Sequence, residues 1–290
     1  MATLPDFQTL QLAQTTLQKA LAEVSEEAEV ETRWLLDHLG FSSHAVRLQP
    51  DTALTAEQQR FLKEALQRRQ QHEPLQHILG TQPFRYVELM VNKHVLTPRP
   101  ETEELVQLVI DHCKTQPDTP LQVADIGTGS GAIAIALKTE CPWLQVDATD
   151  LHESALTVAR QNAHKHRAEI QFFQGHGLQA LSQTYDIIVS NPPYIPLSEK
   201  ESLAPEVRHY EPHAALFPEG NDPLYFYRHF ASEARILKPG GAIFLEIHAP
   251  LASETLALFQ TTHWQKAKLH QDLQHRPRFI SARRAVGKEN

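Results

Sequence analysis

Cysteine is scarce in this 290-residue chain: Cys113 and Cys141 are the only two. They are too few for a disulfide framework, and both sit in apolar sequence where reduced thiols are expected. No apolar run approaches the ~20 residues that span a bilayer. The opening Met1-Ala2-Thr3-Leu4-Pro5-Asp6 lacks the basic start and apolar core of a secretory signal. A cytoplasmic protein without membrane contact is therefore expected. Excess positive charge is missing too, and the net charge of −8 argues against affinity built on neutralising phosphates. Histidines number 17, yet there is no His-Glu-x-x-His and no paired Cys-x-x-Cys, and His164 and His166 fall on roughly opposite sides of a helix. No metal site is expected. A phosphate loop ending in Gly-Lys-Ser/Thr is absent, which sets ATPases aside. There are no internal repeats or low-complexity tracts, and the length points to two domains.

What is present is concentrated around Asn191-Pro192-Pro193-Tyr194. These residues follow Asp186 and the apolar run Ile187-Ile188-Val189-Ser190, which reads as a buried strand. Two prolines cannot continue a ladder, so the strand stops at Asn191. That places an asparagine at the carboxyl end of a strand, where open α/β sheets bind ligands. Its side-chain oxygen and the Pro192 carbonyl are both acceptors. With an aromatic ring beside them, they suit a planar NH2 group such as an amide or an exocyclic amine. The same four residues would also make a plain Pro-Pro turn with a packed tyrosine.

A second constellation lies upstream. Val123-Ala124-Asp125-Ile126 reads as a strand, followed by Gly127-Thr128-Gly129-Ser130-Gly131 and a helix opening at Ala132-Ile133-Ala134. Glycines at such a turn adopt backbone conformations closed to other residues and let a ligand approach the main chain. The next strand, Leu144 to Thr149, ends in Asp150, placed to accept from ribose hydroxyls. A nucleotide-type cofactor follows. Gly127, Gly129 and Ala132 also satisfy the dinucleotide fingerprint, so a nicotinamide dehydrogenase competes. Hydride transfer, however, has no use for paired acceptors around an NH2.

Together the two stretches resemble the peptide-chain release factor glutamine N5-methyltransferases, a class I family dependent on S-adenosylmethionine. Asp125 to Ala134 is similar to that family's cofactor loop and Ser190 to Ile195 to its substrate signature. Pro74 to Gly80, Leu96 to Glu103, Tyr210 to Leu216 and Pro239-Gly240-Gly241 resemble further family segments, so the likeness runs from about residue 20 to 250. It implies that Gly127, Thr128, Gly129, Ser130, Gly131, Asp150 and Asn191 bind S-adenosylmethionine. It implies likewise that Asn191, Pro192, Pro193 and Tyr194 bind the substrate amide, with Asn191 and Pro192 catalytic. The implied partner is a release factor, methylated on the glutamine of its Gly-Gly-Gln loop; S-adenosylhomocysteine is the second product. Two departures stand out. Gln174-Gly175-His176-Gly177-Leu178 lies where the family has an acid and an aromatic residue near the adenine, and His248 follows Glu246-Ile247 where a glycine is common.

The first seventy-odd residues read as helices. Leu10, Ala13, Leu17, Leu21 and Val24 share a face, Leu35, Leu36 and Leu39 mark a second helix ending at Gly40, and Thr55 with Gln58 is a capping box opening a third. Arg68 and Arg69 close that third helix, where cations suit its dipole. The expected organisation is a helical bundle for substrate docking over 1–75, a connecting hairpin and linker over 76–100, and a methyltransferase domain over 101–290. In the linker, Val87, Leu89 and Val91 form a strand against which Val95-Leu96 pairs back. Beyond it, strands alternate with helices, implying a doubly wound, mainly parallel α/β sheet, which the resemblance makes a Rossmann-like class I methyltransferase fold. Trp264 to Leu269 and Phe279 to Ala285 supply a closing hairpin. Glu101, Glu103 and Glu104 suit a helix start or a role near the cofactor, and Arg276, Arg278, Arg283, Arg284 and Lys288 read as a solvated edge.

A glutamine amide nitrogen is a poor nucleophile because its lone pair is delocalised into the carbonyl. Acceptors fixed at its N–H groups would favour the positive charge that grows on nitrogen during methyl transfer. Other readings remain: a ribosomal-protein glutamine methyltransferase, an adenine-N6 methyltransferase, or a silent binding module on a cofactor fold. The adenine reading asks for a basic nucleic-acid surface that this acidic chain lacks. A monomer without direct nucleic-acid contact is expected.

Overall fold

The computed structural model describes residues 7–115 and 120–286. The Met1–Asp6 start and Lys288 of the basic cluster lie outside the described residues. Two compact units divide the chain, residues 1–80 with Ala204–Tyr210, and Thr81–Leu203 with Glu211–Asn290.

The first unit contains α1 (Leu10–Leu21), α2 (Ala28–His38), α3 (Ser43–Leu48), α4 (Ala56–Arg69) and α5 (Leu75–Leu79). Leu10, Ala13, Leu17 and Leu21 are fully buried, as helical spacing requires, whereas Val24 lies past the end of α1. Thr55 and Gln58 form the capping box reciprocally. Arg69 closes α4 as expected. It is also buried, bidentate to Glu31 at 2.9 and 3.0 Å. Ser25 donates to the same carboxylate at 2.7 Å. Glu206, from the short helix of residues 205–210, lies 3.8 Å from the Arg69 guanidinium, and the Tyr210 hydroxyl donates to the Gln71 carbonyl at 2.9 Å. A stretch far along the sequence thus completes this unit, which local periodicity could not reveal.

The second unit opens with an antiparallel hairpin, β1 (Thr81–Phe84) and β2 (Val87–Met90). The expected partner of β2, Val95-Leu96, instead forms no strand, and the Val95 amide closes a turn on the Asn92 carbonyl. The true partner carries Pro83, tolerated because this two-stranded ribbon has only edges. Then follow α6 (Pro100–Lys114), β3 (Gln122–Ile126), α7 (Ala132–Glu140), β4 (Gln145–Asp150), α8 (Glu153–Lys165), β5 (Ile170–Gln174) and β6 (Tyr185–Ser190). After these come α9 (Pro205–Tyr210, the short helix of the first unit), α10 (His213–Leu216), α11 (Tyr225–Ser232), β7 (Leu237–Glu246), α12 (Ala252–Leu258), β8 (Trp264–Gln271) and β9 (Pro277–Arg284).

The seven-stranded sheet has the order β5-β4-β3-β6-β7-β9-β8, parallel from β5 to β7 and closed by the antiparallel β8–β9 hairpin. Its central strands are apolar on both faces because both are covered. Val123, Ile187, Val189 and Phe244 pack with α6 and α7, whereas Ala124, Ile188, Ile243 and Leu245 pack with Tyr227, Phe230 and Phe259. Strand order reverses between β3 and β6, so the crevice at their carboxyl ends is the ligand position for such a sheet. Among the described residues no helix is long and apolar enough to cross a membrane. Both cysteines are free and buried, and burial pushes the Cys113 thiol up to about 12.

Candidate active site

A cavity opens at the carboxyl ends of β3, β4, β5 and β6. From β3 come Gly127 and Gly129, from β4 Asp150, from β5 Gly175, His176 and Gly177, and from β6 Asn191, Pro192 and Pro193. The two sequence constellations therefore meet in one crevice. Leu96 and Ala214 also line it, from two of the segments that carry the family resemblance. They are brought together by Glu211, a buried carboxylate that accepts from the Thr97 amide at 3.1 Å and the Arg99 guanidinium at 3.0 Å.

The glycine loop divides into lining and support. Gly127 (φ +71°) and Gly129 (φ +56°) line the cavity, and nothing lies within 4 Å of where a Cβ would stand. Such bare backbone is what a ligand lying along the main chain requires. At Gly131 (φ +85°) the reason is packing: a Cβ there would come 2.9 Å from the Ile135 Cδ1. The side chains of Thr128 and Ser130, also expected to bind cofactor, are buried. The Thr128 hydroxyl donates to Asp125 at 2.6 Å, and the Ser130 carbonyl accepts from the Asn162 side chain at 2.9 Å. Asn162 also exchanges two hydrogen bonds with the backbone of Met90, at 2.7 and 2.9 Å, tying the loop to β2.

Asp150 sits at the end of β4 as its position required. One carboxylate oxygen accepts from the Gly129 amide and the other from the His152 amide, each at 2.9 Å. Each oxygen keeps a lone pair for a ligand hydroxyl. Beneath the loop Asp125 is wholly buried, and burial pushes its carboxyl up to about 7 although Thr128 and the Ala134 amide favour the charged form. Beside β5, the wall is aromatic. The His176 ring is stacked on Phe226 with centroids 5.9 Å apart, and Phe230 completes the surface.

Asn191 is held from below. Its side-chain amide nitrogen donates to the Thr102 hydroxyl at 3.1 Å, and that hydroxyl donates to Glu246 at 2.8 Å. Tyr194 donates its phenol to the other Glu246 oxygen at 3.0 Å. Tyr194 does not line the cavity. Its ring packs flat against His248, which in turn contacts Glu199 at 3.0 Å, so the histidine departure has a structural use. Glu246 is buried, and burial raises its pKa, opposed by the Thr102 and Tyr194 hydrogen bonds and the Arg278 charge.

Glu101 and Glu103 stand in the first turn of α6, as the helix-start reading has it. Neither they nor Glu104 line the cavity: Glu101 pairs with Arg276 and Glu103 accepts from the Arg85 amide. Their neighbour Thr102 is the one that touches Asn191, hidden in sequence because a threonine between acids carries no signal. The C-terminal arginines are a solvated edge only in part: Arg276 is exposed, whereas Arg278, Arg283 and Arg284 are half-buried. Arg276 and Arg278 converge on the buried carboxylate of Asp272, at 3.0 and 3.5 Å. Among the described residues no His, Cys, Asp or Glu cluster could hold a metal.

Two family models match: the Methyltransferase small domain over residues 103–214 and the PrmC N-terminal domain over residues 8–80. The release factor glutamine methyltransferase of Bacteroides thetaiotaomicron is 36% identical over 277 residues, covering 92% of this chain and 98% of that protein. The one from Deinococcus radiodurans is 39% identical over 261 residues, covering 89% and 92%. Among solved structures, a methyltransferase from Pyrococcus furiosus aligns with a TM-score of 0.50 at 16% identity, covering 68% of this chain and 89% of that one. At that identity the match speaks for the fold.

Proposed function

The chain belongs to the release factor glutamine methyltransferase family, and from that premise we propose that it methylates the side-chain nitrogen of the glutamine in the Gly-Gly-Gln loop of release factors. The observation that carries this is the orientation of Asn191. With its NH2 given to Thr102, its Oδ1 is the free acceptor at the cavity lined by Gly127 and Gly129.

The site fits S-adenosylmethionine. Gly127 and Gly129 leave space where side chains would stand, Asp150 retains acceptor capacity for ribose hydroxyls, and His176, Phe226 and Phe230 offer an apolar wall. When bound, the cofactor supplies an electrophilic methyl group. The chain's own residues do the rest. Asn191 Oδ1 and the Pro192 carbonyl accept the two N–H groups of the substrate amide, favouring the state in which its nitrogen becomes positive. Pro192 and Pro193 fix the backbone, so the acceptors are preorganised and need not move. Water can take the surplus proton after transfer, so no strong general base is required.

We assign substrate docking to the helical unit, which carries no cofactor motif, and propose action as a monomer without nucleic acid. To test the assignment, the protein is incubated with labelled S-adenosylmethionine and a release factor, and the label is located by mass spectrometry. Label on the Gly-Gly-Gln glutamine, lost when that glutamine is replaced, is expected. Comparable labelling of duplex DNA would overturn it.

A further inference from the structure

Thr102 and Glu246 lie 144 residues apart in sequence and neither lines the cavity, yet a chain of hydrogen bonds runs from Asn191 through Thr102 to Glu246. An asparagine amide presents either an acceptor or a donor, and only the acceptor serves the reaction proposed above. We propose that Thr102 and Glu246 are positioning residues that fix the polarity of the Asn191 side chain, a role resting on that reading of the site.

The logic is one of counting hydrogens. A threonine hydroxyl has one hydrogen, and an ionised carboxylate has none. Facing Glu246 at 2.8 Å, the Thr102 hydroxyl must therefore spend its hydrogen on the carboxylate. Only lone pairs are left toward Asn191, 3.1 Å away, so the Asn191 atom on that side must be the NH2. Its Oδ1 then points the other way. Tyr194 repeats the arrangement on the second carboxylate oxygen at 3.0 Å, so a single buried anion anchors both ends of the Asn191–Tyr194 stretch. Burial and the Glu246 charge hold the Tyr194 phenol above its ordinary pKa, which keeps it a donor.

If Glu246 were protonated, the chain could run backwards. The acid would donate to Thr102, Thr102 to Asn191 Oδ1, and the amide would turn its NH2 toward the substrate. Donor would meet donor. The groups facing Glu246 set where this happens. Thr102 and Glu101 come from α6, Tyr194 from the loop after β6, and Arg278, held by Asp272, from β9. The Tyr227 hydroxyl of α11 donates to the Glu246 carbonyl, not to its carboxylate. Burial of Glu246 places the reversal above the ordinary glutamate range.

The test uses the full chain, with single-turnover methyl transfer to a release factor and cofactor affinity measured side by side. Thr102→Val keeps the shape and removes the hydroxyl; it is expected to slow transfer about tenfold, as loss of one net hydrogen bond does, with cofactor affinity within about twofold, since the relay lies outside the cofactor's contacts. Thr102→Ser, which restores the hydroxyl, is expected to recover most of the rate. The unaltered protein should lose rate on the acid side of one ionisation, and Glu246→Gln should be slow without that limb. A normal rate in Thr102→Val, a Thr102→Ser as slow as Thr102→Val, or an acid limb persisting in Glu246→Gln would overturn the proposal. Should a variant fail to fold, exchange of the Asn191 side-chain NH2 by nitrogen NMR in the unaltered protein decides instead. Protection that vanishes below the same ionisation supports the relay, and no protection at any pH contradicts it. Asn191→Ala separates the two levels. Slow Asn191→Ala with a normal Thr102→Val sinks only the relay, whereas normal Asn191→Ala sinks the reading of the site itself.

Discussion

Two loops leave the same end of the same sheet, one after β3 and one after β6, and they are built on opposite principles. The loop after β3 works through freedom. Gly127, Gly129 and Gly131 all have positive φ, and the backbone presents itself bare to the cavity. The loop after β6 works through restriction. Pro192 and Pro193 stiffen the backbone, and the side chains of Asn191 and Tyr194 are tethered to a buried carboxylate through Thr102 and directly. A loop that cradles a ligand needs close approach. A loop that must favour one transition state needs acceptors that do not reorganise. The first should therefore govern cofactor affinity and the second the rate.

Substitutions in each loop sharpen that division. The largest effect is expected at Asn191. Replacing it with alanine removes one of two acceptors, and by analogy with loss of one oxyanion-hole donor, transfer should slow on the order of 10²–10³-fold, about 2.7–4 kcal/mol. Single-turnover kinetics measure this, and a near-normal rate would reduce Asn191 to a turn residue. Next is Asp150→Ala, expected to weaken cofactor binding by about 1.5–3 kcal/mol, the range for hydrogen bonds to a charged group. Calorimetry reads it. Because Asp150 also accepts from the Gly129 amide, the same change should loosen the glycine loop and raise its amide exchange.

The last effect falls on stability and leaves the reaction aside: it concerns Asp125 and its pH dependence. Its carboxyl titrates near 3.8 when unfolded and about 7 when folded. The folded protein thus holds this proton more tightly, so the stability it brings is complete below the unfolded value and is lost as pH rises through the folded one. Asp125→Asn stays neutral throughout, and Asn can still accept from Thr128 and Ala134. Its Tm should fall less than that of the unaltered protein between about pH 4 and 7. An unchanged slope would show that burial of this carboxyl is not what costs stability.

The comparison also explains what could be read in advance. A glycine loop is local chemistry: strand, turn and helix follow one another, and Asp150 closes the next strand, so the loop was legible in the sequence, though not the burial of the Thr128 and Ser130 side chains. Asn191 and Pro192 were legible for the same reason, since prolines end a strand visibly. The supports were not. Thr102 lies 89 residues from Asn191 and Asn162 lies 32 from Ser130, and only folding brings them near. In the helical unit, period and capping placed α1, α2 and α4. The Glu31–Arg69 pair spans 38 residues, and the 204–210 stretch arrives from far along the chain, so neither leaves a periodic trace. At the β1–β2 hairpin, Pro83 hid an edge strand behind a residue that usually excludes one.

The central claim is that affinity and rate reside in different loops, and saturation with cofactor tests it most directly. Single-turnover transfer to a release factor is followed for Asn191→Ala and Asp150→Ala while S-adenosylmethionine is raised well beyond each variant's Kd. Asp150→Ala should recover most of its rate as the cofactor site fills, and Asn191→Ala should stay slow at any concentration. Recovery of Asn191→Ala by added cofactor would contradict the account, because the slow rate would then come from the expected part of Asn191 in cofactor binding and not from a lost acceptor for methyl transfer.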